Sequence, residues 1–201
     1  MRDILIATAN KGKAAEISEI FKNSDFHPYF LFEYPELLSI VIRENAKDFE
    51  GNALIKALLI GQASGLLTLA DDSGLCVDFL NGAPGVLSAR YSAERTDEAN
   101  NKKLLTALAG VPLTERNCHY HCSVAIFNPV DNFIETTTGL WPGKVALESR
   151  GNKSFGYAPV FLAENFNYEK TNAELDPDEL ININHRGLAF RAALEILKNK
   201  Y

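Results

Sequence analysis

The chain has 201 residues, 46% apolar and 23% charged, which is ordinary for a soluble globular protein and enough for a self-sufficient core. Twenty Lys and Arg against 26 Asp and Glu leave a formal charge of −6. That balance excludes a general binder of nucleic acid or anionic membrane, which needs a basic surface, but not of a small phosphorylated ligand held by a few local cations.

In chain order, residues 3–8 are apolar and β-branched and predict a buried strand; they turn polar by Thr8, too early for a signal peptide. Residues 13–21 carry a helical pattern and 28–32 predict a second strand. The densest apolar stretch, 37–42, is far short of the ~20 residues a membrane span requires, so no membrane association is expected. A long helix is predicted from Lys47 to about Ser64. Phe49, Ala53, Ala57 and Ile60 form its buried stripe, and Asp48, Asn52 and Lys56 a separate i, i+4, i+8 row. Residues 66–70 predict a strand ending at Asp71-Asp72-Ser73-Gly74, and 75–80 a further strand before the loop 81–85. Residues 97–108 predict a helix capped by Thr96. Residues 118–127 alternate as a strand, 128–132 turn it into 133–139, and a third extended piece follows Pro142. Residues 185–199 form the last helix. The three cysteines, Cys76, Cys118 and Cys122, are too few and too odd for a disulfide framework and suggest a cytoplasmic protein. The pattern predicts a mixed α/β sheet in one domain spanning 1–201.

Four places could carry chemistry. Thr8-Ala9-Asn10-Lys11-Gly12-Lys13 lies between a strand and a helix N-terminus, where N–H groups and the dipole favour anions. It is not a Walker A loop, having Ala7 and Ala14 where that motif has Gly and Ser or Thr, and taken alone it reads more readily as an ordinary turn with solvated lysines. Asp71 and Asp72 are adjacent and point to opposite sides of the chain, so one can cap a turn while the other ligates Mg²⁺ or accepts a proton from water. Ser154-Phe155-Gly156-Tyr157-Ala158-Pro159 sets two aromatics around a glycine, which suits stacking on a planar base or a core turn. His185-Arg186 opens the last helix, an unfavourable place for solvated cations and a possible reader of carbonyl or phosphate. Cys118-His119-Tyr120-His121-Cys122 imitates a zinc cluster, but on a strand its thiols and imidazoles face opposite sides and cannot close a tetrahedron by themselves.

Six blocks stand in one order: 8–13, Phe49-Glu50-Gly51-Asn52-Ala53-Leu54-Ile55-Lys56-Ala57, Ala70-Asp71-Asp72-Ser73-Gly74-Leu75, 82–85 with 88–92, Phe155-Gly156-Tyr157 and His185-Arg186-Gly187. Together they resemble the house-cleaning pyrophosphatases that hydrolyse inosine and xanthosine triphosphates. The resemblance implies a two-lobed α/β fold around a long mixed sheet, with a nucleotide cleft between the lobes, and a homodimer. It implies cleavage of a purine nucleoside triphosphate (ITP, dITP or XTP) to the monophosphate and pyrophosphate with Mg²⁺. Residue by residue, it gives Asp72 as the catalytic carboxylate and, with Glu44, as a metal ligand. Thr8, Ala9, Asn10, Lys11, Gly12, Lys13 and Lys56 would hold the phosphates, and Ser73 would touch substrate. Phe155, Gly156 and Tyr157 would take the base, and His185 with Arg186 would read its six-oxo edge. An inactive nucleotide-binding relative and a phosphatase releasing single phosphates are the competing readings.

Three positions depart from the family pattern. Ala158 replaces an Asp, Leu180 a Lys, and Gly51 a frequent Glu before the helical Asn. The first two touch the base and sugar side, so phosphate hydrolysis is expected to survive while base discrimination weakens or shifts.

Overall fold

Residues Ile4 to Ala7 are all apolar and need cover on both faces, because successive strand side chains alternate sides. The computed structural model describes residues 2–201, except for the side chains of 177 and 178. In chain order the main elements are β1 (Arg2–Ile6), α1 (Lys11–Phe21), β2 (Phe26–Phe30), α2 (Pro35–Leu38), α3 (Phe49–Ser64) and β3 (Thr68–Val77). These are followed by α4 (Asp97–Ala107), β4 (Asn117–Asn128), β5 (Phe133–Val145), β6 (Phe161–Ala163), α5 (Pro177–Leu180) and α6 (His185–Lys200). The six strands form one sheet in the order β2-β1-β3-β4-β5-β6. β1 is parallel to β2, with Arg2 opposite Phe26, and to β3, with Leu5 opposite Thr68. β5 and β6 are antiparallel, with Gly143 opposite Ala163, so the sheet is mixed as expected.

The chain divides into two compact units: 1–72 with 122–139 and 186–201, and 73–121 with 140–185. β3, β4 and β5 each pass from one unit to the other. In the first unit the strand period of two sorts the core into layers. Ile4, Ile6 and Leu69 pack with Ala14, Ile17 and Phe21 of α1 and Ala189, Phe190 and Ala193 of α6. Leu5, Ala7 and Ala70 pack with Ala53, Ala57 and Ile60 of α3, the expected buried stripe. Gly61 lets α3 lie close to β4: a Cβ there would stand 2.5 Å from Phe127 Cδ1.

The second unit has its own apolar cluster, in which Leu75 and Val77 of β3 join Leu104, Trp141, Tyr157, Phe161 and Leu180. Arg116 is buried beside it and donates to the carbonyls of Leu108 and Val111, just past the end of α4, and of Ala146, just past β5, at 2.7–2.9 Å.

Three expectations are corrected. Asp71-Asp72-Ser73-Gly74 is not a turn between two strands: β3 runs unbroken through it, with Gly74, Leu75 and Val77 all buried. Nor does Pro142 separate two pieces, since β5 continues to Val145. Pro142 lies just before Gly143, where pairing with β6 begins, a position at which its missing N–H is tolerated. The second strand lies at 26–30, earlier than 28–32, and a 3-10 turn takes up Leu31–Glu33.

Candidate active site

Because β3 continues through the acidic pair, Asp71 follows Leu69 toward α1 and α6, and Asp72 follows Ala70 toward α3. The two carboxylates therefore enter different surroundings. Asp71 is 2% exposed, and its Oδ2 lies 2.6 Å from Lys13 Nζ and 3.7 Å from Arg186 Nε. Arg186 Nη1 in turn donates to Glu16 Oε2 at 2.7 Å. Burial alone would raise the Asp71 pKa, but Lys13, Arg186 and Lys56 outweigh it and hold the group well below the ordinary carboxylate range. Asp71 is thus a fixed anion that orders the two cations.

Asp72 faces the opposite way. Its Oδ1 is 3.5 Å from Lys56 Nζ, and its Oδ2 accepts from Asn52 Nδ2 at 2.9 Å. Lys56 Nζ also lies 2.7 Å from Glu44 Oε1. Burial raises the Asp72 pKa above its ordinary value; Lys56 and Asn52 oppose the rise and Glu44 adds to it. A carboxylate so placed accepts a proton from water more readily than a solvated one. Burial pulls the Lys56 pKa down, yet Asp71, Asp72 and Glu44 more than restore it, so its nitrogen stays cationic.

The residues 8–13 form the predicted strand-to-helix junction. Asn10 caps α1, its Oδ1 accepting from Lys13 N at 3.1 Å, while Thr8 Oγ1 accepts from Asn10 N at 3.2 Å. Lys11 is exposed and Lys13 half-buried. Thr8, Asn10, Lys13, Glu44, Lys56, Asp72 and Arg186 all belong to the first unit, and the structure brings Lys56, Glu44 and Asp72 together directly.

Glu44 and Asp72 converge on one cationic nitrogen, and two carboxylates are the protein share that Mg²⁺ ordinarily takes, with phosphate oxygens and water completing its shell. Among the described residues no three His, Cys, Asp or Glu side chains cluster into an all-protein cage. The donor set therefore fits Mg²⁺ held jointly with a substrate.

The second unit holds the remaining candidates. Phe155 is 41% exposed, whereas Tyr157 is buried with its hydroxyl donating to the Ser88 carbonyl at 2.9 Å. Of the two aromatics, then, Phe155 offers a ring face and Tyr157 serves the core. Gly156 (φ 66°) is clamped by α4: its N–H donates to Asp97 Oδ2 at 2.7 Å and its carbonyl accepts from Asn101 Nδ2 at 2.9 Å. These residues, with Ser154 and Phe155, line a cavity of about 720 Å³. Ser73 belongs to this unit and is half-buried. His185 is buried, its ring parallel to Tyr120 at 4.5 Å and to Trp141 at 6.4 Å. Neither His185 nor Arg186 is the solvated pair that their place at a helix start allowed. Ala158 and Leu180 are both buried, Leu180 within the apolar cluster of this unit, where a lone charge would be costly.

Sequence reasoning missed Glu16, Asn52, Asp97 and Asn101 as members of the site. The spacing signals were present: Glu16 is three residues from Lys13, Asn52 four from Lys56, and Asp97 four from Asn101, so each pair shares a helix face. Cys118 and Cys122 are buried free thiols, and burial pushes Cys122 up to about 12, so it is an unreactive core residue.

The chain is 41% identical over 199 residues to a dITP/XTP pyrophosphatase of Desulforamulus reducens, covering 98% of this chain and 96% of that one. It is 40% identical to one from Lactiplantibacillus plantarum, covering 94% and 91%. A solved HAM1 protein from Coxiella burnetii superposes with a TM-score of 0.87 at 35% identity, covering 99% of this chain and all of that one. The sequence pattern of the Ham1 family matches residues 4–196, and the chain belongs to that family.

Proposed function

We propose that this chain, acting as a single catalytic domain over 1–201, hydrolyses ITP, dITP and XTP to the nucleoside monophosphate and pyrophosphate. The observation that carries the reading is the split of the Asp71-Asp72 pair: one carboxylate orders Lys13 and Arg186, and the other stands between Asn52 and Lys56, open to proton transfer. Water attacks the α-phosphorus, Asp72 accepts its proton, the bond from the α-phosphorus to the bridging oxygen breaks, and pyrophosphate leaves. Lys13 and Lys56, with the Thr8–Lys13 junction, bind and orient the phosphates. Phe155 supports the purine, and Ser73, His185 and Arg186 complete the contacts on the sugar and base side. A six-oxo purine accepts hydrogen bonds where adenine donates them, which suits the guanidinium fork.

Glu44 and Asp72 would hold Mg²⁺, which when bound supplies charge neutralisation on the phosphates. Local charge supports that need. Lys13, Lys56 and Arg186 are matched against Glu16, Glu44, Asp71 and Asp72, so three cations face four carboxylates before a substrate of about four negative charges arrives. The three unbridged cysteines support a reducing, cytoplasmic setting. The partner in this reading is a free nucleotide, not a nucleic acid or membrane, and the homodimer rests on family resemblance.

Pyrophosphate release from ITP, XTP, GTP and ATP with Mg²⁺ tests the reaction and the base together. ITP and XTP are expected to exceed ATP, by a smaller margin than in a relative with the full Asp and Lys motif. Inorganic phosphate as first product would overturn the reaction, and equal turnover of ATP the base assignment.

A further inference from the structure

Asn52 is an unfavourable residue for a helix interior, yet it sits in the second turn of α3 and is only 1% exposed. Its amide is used at both ends. Nδ2 donates to Asp72 Oδ2 at 2.9 Å, and Oδ1 accepts from the Ala46 N–H at 3.0 Å. The orientation follows from the partners, since a backbone N–H can only donate and an ionised carboxylate can only accept. Ala46 lies two residues after Glu44, so one side chain ties the segment carrying Glu44 to Asp72 on β3. The preceding residue permits the approach: a Cβ on Gly51 would stand 2.7 Å from Ala46 Cβ.

We propose that Asn52 is a positioning residue for hydrolysis: it occupies Asp72 Oδ2 and fixes the Glu44 segment, so that Oδ1 is the oxygen presented beside Lys56 and Glu44. The inference rests on the proposed role of Asp72. It assigns Asn52 no contact with substrate. Rotation of the Asp72 carboxylate would otherwise exchange its two oxygens, and the segment at 44–46 would lose a tie to α3. A buried amide spanning a carboxylate and a backbone N–H cannot be replaced by a residue that satisfies only one of them.

The test compares Asn52→Asp, which keeps the shape and the Ala46 bond but repels Asp72, with Asn52→Ser, which is too short to span both partners. Asp72→Asn is the control. Pyrophosphate release from ITP is measured alongside calorimetric binding of inosine monophosphate. Both Asn52 variants are expected to lower kcat about 10- to 100-fold, with KM and monophosphate affinity within about threefold of the parent. Either variant keeping kcat within about twofold overturns the inference, and so does monophosphate binding that falls in step with kcat, which marks a merely structural role. If Asp72→Asn itself turns over at the parent rate, the role of Asp72 fails and the inference with it; an inert Asp72→Asn beside active Asn52 variants rejects the inference alone.

Discussion

At the scale of single residues, Asp71 and Asp72 differ by one step along a strand and by everything around them. The sequence showed that neighbouring side chains on an extended chain point apart, and that much held. It could not show that β3 would continue, because Ser73 and Gly74 carry a turn's composition; the strand persists because Gly74, Leu75 and Val77 find buried places in the second unit. Nor could it show that Asp71 would meet Lys13, 58 residues away, and Arg186. Asp71→Asn keeps the shape but withdraws the counterion from two poorly solvated cations. Urea unfolding is expected to show a loss of about 3 kcal/mol, as for other buried ion pairs broken on one side. Unchanged stability would mean that Glu16 and solvent suffice for Arg186 and Lys13.

At the scale of elements, the helices act through their capped starts and polar faces. Asn10, Asp48 and Thr96 cap α1, α3 and α4, each accepting from a backbone N–H three residues on. Thr96 was legible as a cap from the residues after it, and so was the apolar stripe of α3. What lay beyond reach was that α4 would hold a distant loop, since Asp97 bonds Gly156 across 59 residues of sequence. The loop conformation requires a positive φ at Gly156, and the clamp fixes the peptide next to Phe155. Asp97→Ala removes the acceptor and should loosen that aromatic. In steady-state kinetics KM for ITP is expected to rise about five- to tenfold, with kcat within about twofold. A change confined to kcat would place Asp97 in the chemistry instead.

At the scale of the whole molecule, the net charge of −6 already argued against a polymer of phosphates. Locally, Lys13, Lys56 and Arg186 are each matched by carboxylates. The group around these three cations is a pre-formed ion-pair lattice with an acidic surplus, which would suit the proposed divalent cation. The order of the six blocks was legible and pointed to the family, and the resemblance implied two lobes; which residues fall in which compact unit was not legible, because that depends on where three long strands pass from one to the other. The most direct measurement is pyrophosphate release from ITP, with Mg²⁺, by the parent chain and by Asp72→Asn. The expected result is turnover by the parent and at least a 10³-fold loss in the variant, of the order seen when an essential general base is removed. Undiminished release by Asp72→Asn would contradict the account.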